Sequence, residues 1–153
     1  MGDSLLTEEV KSYIGRETGP GEPLVIEQGA IRKFIEAVED ENPIFYDAEY
    51  AKETWYGDVT IPPLFLLTNM KSGTALDFDI LLKARRTRGE DEVEILEPVR
   101  VGDTISANTK IVDIYEKKGK SGSMMFILSE TVYKNQFGRT VMISRANIIK
   151  HAV

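Results

Sequence analysis

A chain of 153 residues with 19 basic and 25 acidic side chains, net charge −6, is the size of about one domain and needs no disulfide or metal to bury a core. It has no cysteine, which excludes thiolate chemistry, zinc–cysteine sites and disulfides, and its acidity argues against nonspecific nucleic-acid binding, which requires a basic face. No apolar stretch reaches membrane-spanning length, and residues 1–15 carry charges throughout instead of a basic start and an apolar run, so a cytoplasmic chain with no secretory signal is expected.

In chain order, residues 4–15 read as a short helix. Ser4 or Thr7 would cap it, Glu8 and Glu9 suit the positive end of its dipole, Leu5, Val10, Tyr13 and Ile14 form an apolar side, and Gly15 ends it. Residues 18–23, TGPGEP, are turn-forming, and Leu24–Ile26 is a short strand candidate. The most legible element follows. Ile31, Phe34, Ile35 and Val38 fall at i, i+3, i+4 and i+7, so a helix running to Asp40 has one side to bury. Burial of each is worth about 1.5–3 kcal/mol, so packing sets this helix's position. Asn42-Pro43 ends it, because proline disfavours the α region for the residue before it and asparagine readily takes turn conformations. Residues 48–57 read as another helical turn or two stopped at Gly57, and proline at a first helical position in Ile61–Leu67 opens a short buried helix. Residues 70–90 read as loop, with a basic cluster of Lys83, Arg85, Arg86 and Arg88.

From Glu92 the apolar period changes from 3.6 to 2. Val93, Ile95 and Leu96 make a strand closed by Pro98, and Gly102-Asp103 supplies a turn. Residues 104–115 alternate Ile105, Ala107, Thr109 and Ile111 against Thr104, Ser106, Asn108 and Lys110. Residues 116–122, EKKGKSG, form a polar hairpin connection holding Lys117, Lys118 and Lys120, and strands over 124–133 and 139–149 are joined by the glycine-containing loop 135–138. A helix followed by long antiparallel strands predicts an α+β domain, one sheet curled around a central helix. Such a sheet has two edges, and a dimer joined through sheet edges covers one of them.

The ordered set Asp40-x-Asn42-Pro43-x-x-x-Asp47, Ile61-Pro62-Pro63-Leu64-Phe65, Glu97-Pro98-Val99-Arg100-Val101-Gly102-Asp103 and Thr131-x-x-x-Asn135-Gln136-x-Gly138 resembles the MaoC-like acyl dehydratases and (R)-specific enoyl-CoA hydratases. Within them it is most similar to the N-terminal-type, or FAS1-like, dehydratase domain. The resemblance implies one hot-dog domain over residues 1–153, a place in fatty acid metabolism, and hydro-lyase chemistry on 2-enoyl or 3-hydroxyacyl thioesters without a cofactor. The carrier would be coenzyme A or an acyl carrier protein.

Catalytic members of that family place an Asp and a His in D-x-N-P-x-H, and the pair moves water to or from the double bond as general acid and base. Asp40 matches the Asp, but the His position is Phe45, which cannot accept, donate or orient a proton. Counting onward without gaps, the glycine whose N–H would hold the thioester oxygen falls on Pro63, which has no N–H. One such donor is worth about 2.7–4 kcal/mol in the barrier. The single histidine, His151, reads as a solvated tail residue. The resemblance therefore implies a catalytically degenerate chain, the accessory half of a dimer with a catalytic hot-dog subunit. A homodimeric hydratase using Asp40, or a non-enzymatic acyl-thioester-binding module, are the alternatives.

Asp40 and Asn42 stand as the family's catalytic positions, Asp40 as a vestigial acid or as a turn-forming side chain. Phe45, Tyr46, Pro63, Phe65 and Arg86 are the candidate substrate-binding residues. The aromatic run of Phe45, Tyr46, Tyr50, Trp55 and Tyr56 either lines an acyl tunnel or fills core and interface. The basic cluster either meets carrier phosphates or an acidic carrier helix, or is a solvated loop.

Overall fold

Antiparallel pairing runs through most of the second half of the chain, and what precedes it packs on the sheet that results. The structure, a computed structural model, describes residues 4–71, 73, 85–120 and 122–151. The helices are α1 (Glu8–Lys11), α2 (Gln28–Val38), α3 (Ala48–Lys52) and α4 (Phe65–Asn69), with a 3-10 turn at Pro43–Phe45. The strands are β1 (Leu24–Val25), β2 (Arg85–Ile95), β3 (Thr104–Gly119), β4 (Gly122–Lys134) and β5 (Thr140–His151). They form one curled sheet in the order β1-β3-β4-β5-β2, every pair antiparallel. This is the α+β hot-dog architecture expected from the sequence.

The core face of the sheet carries two apolar clusters. Ile31 and Ile35 of α2 pack with Ile105, Ala107, Tyr133, Val141 and Met142 over one half. Over the other half, Leu5, Leu6, Val10 and Tyr13 of the N-terminal segment pack with Ile111, Ile114, Met125 and Ile127. Between them runs a polar row. Thr109 faces Thr131 across β3–β4 and Thr131 faces Ser144 across β4–β5, all three buried. The Thr109 and Thr131 hydroxyls are bonded at 2.6 Å, and the carbonyl of Gly73 accepts from the hydroxyls of Thr109 (2.9 Å) and Thr18 (3.0 Å). Buried hydroxyls need such partners, and here they find them in one another and in backbone.

Several sequence expectations are corrected in detail. The helix of residues 4–15 contracts to α1, where Thr7 Oγ1 accepts the Val10 N–H, and Ile14 is exposed. The helix expected to reach Asp40 ends at Val38: Glu39 turns left-handed at φ 54° and the Asp40 N–H closes onto the Ile35 carbonyl. Val38, at the margin of the apolar stripe, is 52% exposed instead of buried. The prolines at 62 and 63 do not open α4; the Pro62 carbonyl accepts the Phe65 N–H, so they form the turn before it.

Arg85, Arg86 and Arg88, expected in a loop, lie on β2, while Lys83 falls outside the described residues. An edge strand this polar shows no apolar alternation, and its pairing with β5 orders it instead. The loop expected at 116–122 is tighter, since β3 and β4 run on to Gly119 and Gly122 and carry Lys117 and Lys118 with them. His151 is not a free tail: it ends β5, half-buried, with its Nε2 3.0 Å from Thr87 Oγ1.

The two edges of the sheet differ. Beyond β1, the edge of β3 is covered by residues 15–21, whose backbone bonds Ile111, Thr109 and Ala107. Strand β2 pairs with β5 on one side, and among the described residues no strand pairs with its other side.

Candidate functional site

The 3-10 turn that follows α2, the segment before α4 and the ends of β2 and β5 enclose a cavity of about 520 Å³. Its inner wall is apolar: Ile44, Phe45, Ile61, Leu66, Val141 and Met142. The rim is mixed, with Trp55, Tyr56, Pro63, Ile95, Leu96 and Glu97. This volume and lining suit a hydrocarbon group, which would be drawn in by burial of apolar surface.

Each wall has a local cause. Asn42 caps the 3-10 turn, its Oδ1 accepting the Ile44 N–H at 3.2 Å, and Pro43 supplies the fixed first dihedral. That turn drives Ile44 and Phe45 inward, both nearly fully buried. Asp47 caps α3 by accepting the Glu49 and Tyr50 N–H groups, each at 3.0 Å, and sends the chain to the rim. There Trp55 stacks on Tyr56 with centroids 3.8 Å apart and remains 80% exposed. An Arg100 guanidinium N–H donates to the Tyr56 carbonyl, while the Arg100 N–H donates to Asp103, tying the rim to the β2–β3 turn.

The structure brings Asn42, Phe45 and Pro63 together at this cavity and places the other candidates elsewhere. Asp40, half-buried, does not line it; its Oδ1 accepts the Asn42 N–H at 3.1 Å, a turn-forming bond. Tyr46 is exposed and donates its hydroxyl to the Glu41 carbonyl at 3.1 Å. Phe65 lies in the core, edge-on to Phe34 with centroids 5.6 Å apart. Arg86 stands on β2 opposite Lys150. At 3.3 Å per residue it is roughly 30 Å along the strand from Ile95 at the rim. Of the aromatic run, Phe45, Trp55 and Tyr56 line the cavity, whereas Tyr46 and Tyr50 are exposed outside it.

Sequence reading missed the contributions of β2 and β5: Ile95, Leu96, Glu97, Val141 and Met142. Strand register alone brings them in, since Ile95 pairs with Met142 and the Leu96 and Glu97 N–H groups both bond the Val141 carbonyl. Glu97 is the carboxylate of the rim, and Arg139 lies 3.5 Å from it. The one buried hydroxyl of the lining, Thr60, donates to the Val99 carbonyl at 3.0 Å. The inner wall of the cavity offers apolar containment, and Asn42, Tyr56, Thr60 and Glu97 are the polar side chains of its lining. Among the described residues no group of three or more His, Asp or Glu is placed to hold a metal ion, and no helix is long and apolar enough to cross a membrane.

Residues 12–144 match the family described as FAS1-like, dehydratase domain region. A curated relative from Thermobifida fusca, described as a UPF0336 protein, is 32% identical over 126 residues, covering 80% of this chain and 81% of its own. The crystal structure of a MaoC-like dehydratase from Rhodospirillum rubrum superposes with a TM-score of 0.69 at 21% identity, over 92% of this chain and 93% of that one. The C-terminally truncated HadBC (3R-hydroxyacyl-ACP dehydratase) complex of Mycobacterium tuberculosis gives 0.72 at 18% identity, over 90% and 96%. The chain belongs to the FAS1-like dehydratase domain family, in the hot-dog fold that it shares with MaoC-like dehydratases and hydratases.

Proposed function

We propose that this chain is the acyl-binding, catalytically degenerate half of a heteromeric hydratase/dehydratase acting on 2-enoyl or 3-hydroxyacyl thioesters. One observation carries the reading: Phe45 and Pro63, which fill the family's proton-relay and oxyanion positions, both line a roomy apolar cavity while Asp40 does not. A residue for general acid/base work must reach the proton it moves, and the Asp40 carboxylate is engaged with the Asn42 N–H instead. The cavity walls keep what binding needs, apolar area and a shaped rim. The HadBC structure, itself a complex named for action on a 3R-hydroxyacyl carrier-protein thioester, supports both the heteromer and the substrate class.

On this reading the chain contributes binding free energy from the acyl chain, and a sister hot-dog chain with an intact D-x-N-P-x-H contributes the chemistry. Such remote binding energy is useful only where it is realised in the transition state of the partner's reaction. The test is hydration of crotonyl-CoA and of a longer enoyl-CoA by the purified chain, by the sister chain and by both. Activity only in the mixture, with the longer substrate gaining more, is the expected result. Turnover by this chain alone that disappears in Asp40→Ala would sink the accessory reading in favour of a self-sufficient enzyme.

A further inference from the structure

The end of the sheet remote from the cavity carries charges that acyl binding does not use. Strands β3, β4, β5 and β2 bring Lys117, Met124, His151 and Arg85 into one row across the sheet, and two residues further along lies the row of Tyr115, Phe126, Ile149 and Thr87. Ile114 and Met125 are buried in the core, which puts their neighbours Tyr115, Met124 and Phe126 on the outer face. Arg86, Lys118, Lys120 and Lys150 stand at the same end. In a chain of net charge −6 this is a segregation of charge.

The arrangement is unfavourable for the free chain. Arg86 lies directly opposite Lys150 across β2–β5, and Arg85 directly opposite His151, and like charges so placed repel. Elsewhere on the sheet Arg88, Lys110 and Arg145 each pair with a carboxylate, at 2.5, 3.8 and 2.9 Å. Among the described residues none of Arg85, Arg86, Lys117, Lys118, Lys120 and Lys150 does. Glu116, next to Lys117, accepts from the Ser4 hydroxyl at 2.6 Å instead. Repulsion kept within a fold without compensation is relieved by an anion from outside it.

The apolar row and the limits of the patch decide what kind of anion. Tyr115 and Phe126 stack with centroids 5.0 Å and planes 3° apart, and Lys117 Nζ lies 5.3 Å from each ring, so cation and apolar surface adjoin. The basic and apolar rows are roughly 7 Å apart, close to the spacing of about 5–6 Å between neighbouring side chains on a helix. Across four strands they run about 14 Å, between two and three turns of helix. On the same face, about 20 Å of strand beyond the basic row, Glu92, Glu94 and Glu130 gather round Arg145. A bilayer or an extended polyanion would meet those carboxylates, whereas one helix about 10–12 Å wide stops short of them. We infer that this end of the outer face is a docking surface for an acidic amphipathic helix of another protein. It lies across the strands, carboxylates over Lys117 and Arg85, apolar stripe over Tyr115, Phe126 and Ile149. Roughly 30 Å of strand separates it from the cavity mouth, and the docking surface does not depend on the acyl-binding reading.

The test is fluorescence anisotropy with a labelled peptide of about twenty residues, long enough to be helical alone, with glutamates along one stripe and leucines along the next. It should bind with micromolar affinity that falls as salt rises, and a peptide of the same composition in scrambled order should bind about tenfold more weakly. Arg85→Glu/Lys117→Glu, at exposed positions and folded by circular dichroism, should weaken binding about tenfold or more, while Trp55→Ala at the cavity rim should leave it unchanged. Arg86→Glu should raise the melting temperature of the free chain by about 1–4 °C, because it turns repulsion from Lys150 into attraction. No binding, binding that salt does not weaken, equal binding of the scrambled peptide or by the charge-reversed chain, or a loss in Trp55→Ala would overturn the docking surface. Vesicles containing phosphatidylserine, or a single-stranded oligonucleotide, binding as tightly as the peptide would overturn the assignment to a helix. An Arg86→Glu chain that melts no higher would overturn the reading that these cations are held against one another for a partner.

Discussion

The two halves of the sheet's core face are covered by the same chain in different ways. Under α2 the cover is an eleven-residue helix plus α4, and large side chains such as Phe65, Leu66 and Tyr133 are buried there beside a cavity of about 520 Å³. Under the N-terminal segment the cover is one helical turn, and the smaller cluster around Ile111, Ile114, Met125 and Ile127 lies outside the cavity lining. The cavity is walled by the turns and short segments that follow α2 and by the ends of β2 and β5, and no residue of α2 itself lines it. The N-terminal strap instead lies directly on the sheet through Leu5, Leu6, Val10 and Tyr13. The half in which turns span from the helix to the strand ends is thus the one that leaves room for a ligand.

The polar row between the halves gives the sharpest break. Gly73 has φ 73°, and a Cβ built there would lie 1.9 Å from the Ala107 carbonyl oxygen, backbone that cannot yield. Gly73→Ala should therefore cost about 4 kcal/mol or more, combining left-handed strain with overpacking, and should pull the Thr18 and Thr109 hydroxyls off their shared acceptor. Thermal or denaturant unfolding measures it; a loss below about 1 kcal/mol would mean that the row does not hold the halves together.

Next in size comes the helix itself. Ile31→Ala should cost about 2–5 kcal/mol, as for a fully buried isoleucine, while Val38→Ala, at an exposed position, should stay within about 0.5 kcal/mol. Equal effects would mean that the apolar stripe read from the sequence is wider than the one the sheet covers.

Much of this was legible beforehand because periodicity reports burial directly. Ile31 and Ile35 of α2, and the run Ile105, Ala107, Thr109 and Ile111 of β3, are buried where alternation and helical spacing put them. The rhythm breaks after Ile111, where a bulge leaves Val112 exposed and restarts the inward face at Ile114. No local signal marks a bulge in TKIVDIY. Strand β2 was unreadable until Val93 for a related reason: Arg85 to Glu92 have no apolar rhythm, and only pairing with β5 makes them a strand. At the site, Asn42, Phe45 and Pro63 converge because they flank turns that local chemistry dictates. Val141 and Met142 depend on register between strands distant in sequence, which one-dimensional patterns do not contain.

A smaller effect separates the halves as folding units. Val10 is the buried anchor of the strap, and Val10→Ala should cost about 1–2 kcal/mol. Its signature is local: hydrogen exchange should accelerate at Gly15 and Ile111, whose amides bond across the strap-to-β3 seam, without change at Ile61, whose amide bonds Val99 beside the cavity. Uniform acceleration at all three amides would show that strap and helix open together and that the two covers are one cooperative unit.

The smallest effect concerns pH and the group that touches both sides of the polar row. Tyr133 belongs to the α2 cluster, while its hydroxyl is hydrogen-bonded with Ser144 of the row. Burial pushes its phenol above the ordinary tyrosine range, opposed by the Ser144 bond. The folded state therefore holds this proton more tightly than the unfolded chain does. The stabilisation is fully present below the unfolded value, near pH 10, and is lost as pH rises through the higher folded value. Tyr133→Phe should cost about 1 kcal/mol at neutral pH, from the lost bond and an unsatisfied Ser144. Because phenylalanine has no proton to lose, the gap between the two proteins should narrow as pH climbs past 10. Denaturant titrations of both proteins across pH 7–11 measure it, and a gap that is constant or widens would place the Tyr133 hydroxyl in contact with solvent and not at the junction of the two halves.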